Sequence, residues 1–444
     1  MDDASISEHR HEDIFNGKIN FLSKRLSDND RITGALLILL YSPFISNLAE
    51  SLWDSFFLPG AGLLKYLVFS VFLFLAMPGI ITALGKRFAL MVSLSAIFMF
   101  LCMISSVLVP EIRAPLLLET EIRFIIFGAL SFVLVCSIDD ISTLWAPLTK
   151  ASWLISACGL LFYLSALFFQ DIYSMSFSYA MLIPIFVLTA NFFRTHKWYN
   201  IAVPFLLLLM VFTRGSRGVL ASLLAAILLC SFNWIFSELK KRVRSSVFIA
   251  ILTFLAASIT LIVINLQKIL SLAGRVLNRI GLEGRTVSLF SQGNSFALSG
   301  RDGITESLFH ELDKNPFAFH GIYGSGVVAG DHKHIDMTGM YAHDIVLELI
   351  FTFGIVVGII LFAIISCMVI FALFRTRTPV ERNLVILFIA SGLVPSFISN
   401  LVWTFTDFWI LMGICTGVIL REVRDYRKNK TDLKVMQRWN SATN

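Results

Sequence analysis

Long apolar runs, broken by short polar segments, dominate this chain. Twelve runs lack Asp, Glu, Lys and Arg, and most approach the ~17–25 residues that cross ~30 Å of hydrocarbon as a helix. Three of them, 124–138, 198–213 and 408–420, are short on this count and must take in flanking residues. The others are 32–49, 66–85, 88–110, 151–170, 172–193, 218–237, 245–267, 349–374 and 383–406. The pattern predicts an all-α integral membrane protein with about twelve transmembrane helices.

Composition supports the same fold class. Of the 444 residues, 57% are apolar and 15% are charged, and the mean hydropathy is +0.78. A soluble globular protein has ~25% charged residues. A soluble enzyme, a secreted domain and a DNA-binding module are therefore excluded. The net charge of +6 is attributed to membrane topology rather than to nucleic-acid binding.

The basic residues predict the orientation. With a cytoplasmic N-terminus, 24 of the 36 Lys and Arg residues fall on the inner side, as the positive-inside rule requires. Both termini are then cytoplasmic. The predicted segments are a cytoplasmic N-terminal segment (1–31), transmembrane helices 1–9 (32–267), a long, partly helical outer loop (268–342), helices 10–12 (343–420) and a cytoplasmic tail (421–444).

The long loop contains 11 of the 26 glycines and four of the eight histidines. Helical spacing of its apolar residues predicts an interfacial helix near 268–280 and a second helix from about Arg301 to Lys314. Ile304, Leu308, Phe309 and Leu312 lie on one face of the second helix. The glycine-dense stretch 321–326 predicts tight turns rather than helix. The spacing of His332 and His334 matches no ligand pattern, so no metal site is expected.

Two arginines lie in the turn before the eighth helix, in Thr213-Arg-Gly-Ser-Arg-Gly. Arg217 falls in the first helical turn, where the macrodipole disfavours a cation unless an anion lies beside it. Ser216 and unpaired backbone N–H groups can add hydrogen-bond donors. The segment therefore predicts an anion site. The alternative is that Arg214 and Arg217 extend to headgroup phosphates.

A second polar set opens the tenth helix. His343 and Asp344 stand at its start, and Glu348 follows one turn later, facing the bundle interior. A helix N-terminus favours the neutral imidazole, which can accept a proton. The alternative is that the pair only caps and tethers the helix. Asp139 and Asp140 are interpreted as a solvated loop on the inner face.

Three segments together resemble the O-antigen ligase and O-antigen polymerase superfamily of bacterial inner-membrane glycosyltransferases. One is the Ser-Arg-Gly entry into a helix at 216–218, and another is Ser-Gly-Arg at 299–301, followed by a helix, Pro316 and Gly-x-x-Gly at 321–324. The third is His-Asp-Ile-Val-Leu-Glu-Leu at 343–349, with glycines at 354 and 358. Their order and their side of the membrane also agree with that family.

The resemblance implies a glycan donor on undecaprenyl diphosphate and transfer to an acceptor hydroxyl on the periplasmic side. Arg217 and Arg301 are then diphosphate ligands, with Arg214 a weaker third, and His343 orients or deprotonates the acceptor. Asp344 and Glu348 are supporting residues. The implied enzyme is an inverting, hexosyltransferase-type glycosyltransferase with no cofactor. Expected partners are membrane lipids, a chain-length regulator and a flippase, and no nucleic acid is expected.

Two departures bear on which member the chain resembles. Asp344 stands where an amide or Ser is commoner, and Val357 where the ligases often have a small or polar residue. Both favour an O-antigen polymerase over a ligase that transfers the glycan to lipid A-core. A lipid-linked glycan flippase or another transporter is a more distant alternative. Transporters tend to show internal repeats and midplane charges, whereas these charges cluster at the outer mouth.

Overall fold

The computed structural model describes residues 27–55, 60–109, 114–169, 175–214, 217–234, 302–333 and 341–443, with scattered residues between 268 and 279. This part of the chain is almost entirely helical and contains no strand, so the predicted all-α class is confirmed. The helices are α1 (Asp28–Ser55), α2 (Ala61–Leu108), α3 (Ala114–Arg123), α4 (Leu130–Cys136), α5 (Trp145–Phe169), α6 (Met175–Thr195), α7 (Tyr199–Arg214), α8 (Arg217–Trp234), α9 (Asp302–Lys314), α10 (Gly324–Lys333), α11 (Ile345–Phe353), α12 (Ile355–Arg375), α13 (Pro379–Phe388), α14 (Val394–Ser396) and α15 (Thr406–Thr443). π-Helical turns at Phe124–Ala129 and Ile389–Leu393 join α3 to α4 and α13 to α14.

Several of these helices have the length and composition of membrane spans. Five helical stretches in the described ranges are long and apolar enough to cross a membrane: Asp28–Asp54, Ala61–Leu108, Ile141–Leu164, Phe177–Thr195 and Ile355–Arg375. Tyr199–Thr213 and Gly218–Cys230 are shorter apolar helices. The chain is therefore an all-α membrane protein. The ninth predicted span, 245–267, lies outside the described residues.

Helix α2 reverses direction at Arg87, whose φ of −139° is not helical. The ring of Phe69 lies 5.5 Å from that of Phe127, and the ring of Phe98 lies 3.9 Å from that of Phe124. A straight helix would separate Phe69 and Phe98 by about 43 Å, yet both contact the same π-helical turn. The chain therefore bends sharply at Arg87, and the two halves of α2 are the second and third predicted spans.

Two other spans are longer than the apolar runs alone indicate. The helical segment of the fourth predicted span begins with α3 at Ala114, ten residues before the predicted run 124–138. This span therefore takes in flanking residues, as expected. The last helix, α15, continues from the predicted span 408–420 into the predicted tail. Its 38 residues extend about 57 Å. Helices α4, α13 and α15 form the bundle centre, where Val133, Ile386 and Leu411 are fully buried.

The prediction of one continuous helix over 349–374 is wrong. The chain breaks at Gly354, which has φ 81° and separates α11 from α12. A Cβ on Gly354 would lie 3.2 Å from the Phe317 carbonyl oxygen, and one on Gly358 would lie 2.6 Å from the Ile350 Cα. Loop residues thus pack into the break, and α12 packs closely against α11. The contact with Phe317 joins residues distant in sequence, so apolar composition alone could not reveal the break.

The eleventh predicted span, 383–406, is also shorter than expected. Its helical residues end at Ser396, and an irregular segment leads to a 3₁₀ turn at Val402–Thr404. The N–H groups of Ser399 and Asn400 both donate to the Pro395 carbonyl, so the chain turns instead of continuing the helix. The turn after Ser396 is as apolar as the helix before it, so the uncharged run 383–406 does not show where the helix ends.

The described parts of the long loop are helical over 302–314 and 324–333 and irregular between these two helices. Described residues between 268 and 279 are helical, in line with the predicted interfacial helix. Helix α9 confirms the second predicted helix. Ile304 and Leu308 are buried on its inner face, but Phe309 is 54% exposed, so its assignment to that face is wrong.

The prediction of tight turns over residues 321–326 is wrong from Gly324 onward. The turn is confined to the residues around Gly321 (φ 73°) and Tyr323 (φ 66°), after which α10 begins. A Cβ on Gly324 would lie 2.4 Å from the Cβ of His320. This glycine therefore permits close packing of the start of α10 against the preceding turn and does not end a helix.

The connecting segments gather at two ends of the bundle. The loop end comprises residues 316–327, 341–348 and 397–405. There the Ser105 hydroxyl accepts a hydrogen bond from the Ile322 N–H (3.0 Å) and Thr120 donates to the Tyr323 hydroxyl (3.0 Å).

The tail end comprises residues 86–87, 137–141, 375–382 and 417–425. Lys86 pairs with Asp139 at 3.5 Å, and Arg421 pairs with Glu381 at 2.5 Å. Eighteen helical residues separate Arg87 from Ser105 of the loop end, about 27 Å. That is close to the ~30 Å thickness of the hydrocarbon core.

Candidate functional site

Asp344 is the N-cap of α11. Its backbone is extended, and its carboxylate accepts hydrogen bonds from the N–H groups of Val346 (2.8 Å) and Leu347 (3.1 Å). These are the groups that a helix start leaves without an intrahelical partner. The capping role considered for the His343–Asp344 pair therefore belongs to Asp344, and His343 is not needed for it.

His343 stands in a strained backbone position immediately before this cap. Its φ is 57°, in the left-handed region that costs a non-glycine residue about 1 kcal/mol or more. The ring lies 4.2 Å from that of Tyr341, and Nδ1 is 3.4 Å from the Ser399 carbonyl oxygen. A carbonyl oxygen can only accept, so a neutral imidazole that makes this contact carries its proton on Nδ1 and its lone pair on Nε2. This is the form that a general base requires.

Glu348 joins three separate segments at the loop end. The carboxylate is 3% exposed and faces the protein interior, as the sequence predicts. It accepts hydrogen bonds from the Ser325 hydroxyl (3.0 Å), the Trp403 indole N–H (3.3 Å) and the Ala342 N–H (3.5 Å). Because Ala342 immediately precedes His343, Glu348 holds the histidine turn against the rest of the bundle.

A cavity of about 350 Å³ opens beside this turn. Tyr341 lines it and also contacts His343 and donates a hydrogen bond to the Ser399 carbonyl (2.5 Å). The amide nitrogen Nδ2 of Asn400 is buried and has no hydrogen-bond partner in the described part of the chain. The full lining is Leu116, Glu119, Thr120, Arg123, Tyr323, Tyr341, Asn400, Leu401, Thr404 and Phe405. The cavity thus combines phenol and amide groups with an apolar wall.

Arg123 is the cation of this lining, and none of the sequence motifs contains it. It forms an ion pair with Glu119 of the same helix at 2.6 Å, and both side chains are more than half exposed. Such an exposed pair holds its partner weakly, so the guanidinium is available to an anion in the cavity. The i,i+4 spacing of Glu119 and Arg123 was the one helical signal in this charged segment.

The helix that begins at Arg217 contacts the segment that leads to Ser399. Helix α8 begins at Arg217, which confirms the predicted position in the first helical turn. The short helix α14 packs against α8, and the chain then runs directly to Ser399, the carbonyl that faces His343. The side chains of Arg214 and Arg217, and residues 215–216, lie outside the described part of the structure.

The helix that follows Arg301 also packs beside His343. Ile304 and Leu308 of α9 form a small apolar cluster with Ala342 and Phe351. Ala342 immediately precedes His343, so α9 contacts the histidine turn through this cluster. Arg301 itself lies outside the described residues. The helix after Arg301 therefore packs on the histidine turn, and the helix that begins at Arg217 packs on the segment that leads to Ser399.

No metal site is formed by the residues that can be described. Within them, no group of three or more His, Cys, Asp or Glu side chains could hold a metal ion. The side chains of His332 and His334 lie outside this set. Asp140 caps a 3₁₀ turn through the Ser142 N–H (2.9 Å), and Asp139 is 77% exposed, which fits a solvated loop.

No family model matches the chain, and no curated protein matches it.

Proposed function

We propose that the protein is a membrane glycosyltransferase that uses an oligosaccharide carried on undecaprenyl diphosphate. Transfer takes place on the periplasmic side of the bacterial inner membrane, and the enzyme acts as an O-antigen repeat-unit polymerase in lipopolysaccharide biosynthesis. The proposal rests on the three sequence motifs that resemble this superfamily. The single structural observation that supports it is the packing of α9, the helix after Arg301, against Ala342, the residue before His343.

The proposed orientation has about twelve spans and both termini in the cytoplasm. It assigns the loop end to the periplasm and the tail end to the cytoplasm. The grouping of contacts supports this assignment, because segments predicted on one side contact each other. Cysteine labelling should find residues 302–333 accessible from outside and residues 421–425 accessible from inside. Labelling of residues 240–244 from outside would overturn the orientation and the site with it.

The proposed reaction is one inverting displacement. The acceptor hydroxyl gives its proton to His343 while its oxygen attacks the anomeric carbon, and the bond from that carbon to the diphosphate oxygen breaks. The bonding electron pair leaves with the lipid diphosphate. Guanidinium groups bind such oxygens through two contacts and stabilise the developing charge in a water-poor site. Arg217 and Arg301 have this role by the resemblance, and Arg214 assists.

The loop-end cavity is assigned to substrate in this proposal. Arg123 offers a further cation for a diphosphate oxygen, and Tyr341, Tyr323 and Asn400 offer hydrogen-bonding groups for sugar hydroxyls. Sugar-binding sites combine aromatic surfaces with polar groups of this kind. The lining does not specify which sugars are joined.

The second candidate is an O-antigen ligase, because the same three segments occur in both groups of the superfamily. Deleting the gene in its host and separating lipopolysaccharide on a gel distinguishes them. Loss of a polymerase leaves core bearing a single repeat unit, whereas loss of a ligase leaves bare core. An unchanged ladder would contradict both.

The transporter alternative needs a different test. Purified protein in detergent, given a lipid-linked repeat unit and no ion gradient, should form longer glycans if it is a polymerase. A flippase would form none under these conditions. Absence of product from well-folded protein, with a ligase acceptor also supplied, would contradict the enzyme proposal.

A further inference from the structure

A second cavity, of about 510 Å³, lies at the tail end of the bundle. It is enclosed by the bend at Lys86–Arg87, the turn after Cys136, and the first part of the tail beyond the last predicted span. Gly417 allows the close approach of these elements, because a Cβ there would lie 3.2 Å from Ile141 Cδ1. The cavity is independent of the loop-end site and of the proposed function.

The cavity has an excess of positive charge. Its lining contains five basic residues, Lys86, Arg87, Arg377, Arg421 and Arg424, against two acidic residues, Asp139 and Asp425. Each acidic residue already has a partner: Lys86 pairs with Asp139 and Arg377 with Asp425. The lining therefore holds more cations than its own carboxylates can neutralise.

Arg421 is also committed within the protein. Its guanidinium contacts both carboxylate oxygens of Glu381 (2.5 and 3.1 Å) and the Arg375 carbonyl (3.4 Å). Arg87 and Arg424 remain, and neither forms an ion pair with any described residue. They belong to different elements, Arg87 to the bend in α2 and Arg424 to α15, and they line one cavity.

We propose that this cavity binds a phosphate group through Arg87 and Arg424. Two guanidinium groups that approach from different elements fit a phosphate, which offers several oxygens to planar donor pairs. The bend in α2 and the Arg421–Glu381 pair hold the elements in place. The phosphate belongs either to the headgroup of an acidic phospholipid or to a soluble phosphate compound.

The test uses the purified full-length chain in a zwitterionic detergent and measures Tm. Short-chain phosphatidylglycerol, phosphatidylcholine and inorganic phosphate are titrated separately at constant ionic strength. Phosphatidylglycerol should raise Tm in a saturable manner, and phosphatidylcholine should not. Stabilisation by phosphatidylglycerol alone assigns the site to a lipid headgroup, whereas stabilisation by inorganic phosphate as well assigns it to a soluble phosphate.

Variants connect the response to the cavity. Arg87→Gln and Arg424→Gln should each weaken the affinity about tenfold, the effect of losing one charge-assisted contact, and the double variant should lose the response. Arg427→Gln is the matched control: it makes the same charge change on the same exposed helix, and Arg427 does not line the cavity. Because Arg424 is exposed, its single variant should fold normally.

Two results would overturn the proposal. One is the absence of a saturable response to either phosphate probe in the wild-type protein. The other is an equal loss of response in Arg427→Gln and Arg424→Gln, because the effect would then be general attraction to a basic tail.

Discussion

Two buried glutamates, one at each end of the bundle, have opposite kinds of partner. Glu348 at the loop end accepts hydrogen bonds from three neutral donors, the Ser325 hydroxyl, the Trp403 indole and the Ala342 N–H. Glu381 at the tail end is held by the guanidinium of Arg421 and by the Arg377 N–H (2.8 Å). Their exposed fractions are nearly equal, 3% and 4%, so burial does not explain the difference.

The difference indicates what each end is built to do. At the tail end, opposite charges neutralise each other and fasten α13 to α15. At the loop end, neutral donors fix the chain beside His343 without adding a cation; under the proposed function, such a cation would compete for the diphosphate. The strained backbone of His343 occurs only a few residues from Glu348, and strain of this kind persists where the surrounding structure holds it.

The largest effect is expected at Arg217. Arg217→Ala should reduce glycan transfer to background while the protein stays folded in the membrane, and Arg217→Lys should recover only part, since lysine lacks the two-pronged geometry for phosphate. Arg275→Ala, an exposed loop arginine, is the control and should keep its activity. Full activity of Arg217→Ala would show that Arg217 only contacts headgroups.

Glu348 should be the next most sensitive position. Glu348→Ala leaves three buried donors without an acceptor and should destabilise the protein by about 2–4 kcal/mol, with a matching loss of turnover. Glu348→Gln keeps one acceptor oxygen and should lose less. Both are measured as Tm and as transfer rate, with Glu306→Ala on the exposed face of α9 as control. Wild-type Tm in Glu348→Ala would mean that the hydrogen bonds do not hold the histidine turn.

At the tail end, substitution should affect stability and leave the chemistry intact. Glu381→Gln should cost about 2 kcal/mol, because Arg421 keeps its charge in a partly buried position, while turnover per folded molecule is unchanged. Arg421→Gln should cost a similar amount, and the double variant should cost less than the sum of the two. Additive losses in Tm would exclude coupling between the pair.

The same pair gives a pH dependence of known sign. Burial opposes ionisation of Glu381, but the hydrogen bonds from Arg421 and the Arg377 N–H hold its pKa below its usual value. The stabilisation is therefore complete above the ordinary glutamate pKa of ~4.3 and is lost as pH falls below it. The Tm difference between wild type and Glu381→Gln should shrink only in that acidic range.

The smallest effect concerns His320, which packs on the Phe351 ring at 5.1 Å. Burial lowers the pKa of His320, although Glu311 opposes the shift. Its neutral form is favoured in the folded protein, so the contribution is present above the ordinary histidine pKa of ~6.5 and is lost as pH falls through the lowered value. His320→Gln should make Tm less sensitive to acid between those values, and an unchanged pH dependence of Tm in this variant would contradict the role of His320.

Local patterns predicted most helices but not their interruptions. Uncharged runs located α1, both halves of α2 and α5 to α8, because a membrane helix has an apolar surface along its whole length. They missed the break at Gly354, which depends on loop residues packing against it. They also missed the helix at Gly324, where glycine permits close packing instead of ending a helix.

The candidate site was also predictable only where its residues are close in sequence. His343, Asp344 and Glu348 are close in sequence and have helical spacing, so their proximity could be foreseen, including the inward direction of Glu348. Trp403 and Ser325 are far from Glu348 in sequence, and only the fold brings their donors to its carboxylate. Arg123 belongs to a segment whose charges obscured its helical character.

The central claim, that the His343 turn is the reaction site, is tested most directly by comparing His343→Ala and His343→Asn in a purified transfer assay. Because Asp344 caps α11, both variants should fold and bind the lipid-linked donor. Both should lower turnover by ~10²–10⁴, the usual range for loss of a general base. An asparagine variant that folds, binds donor and transfers glycan at the wild-type rate would contradict the account.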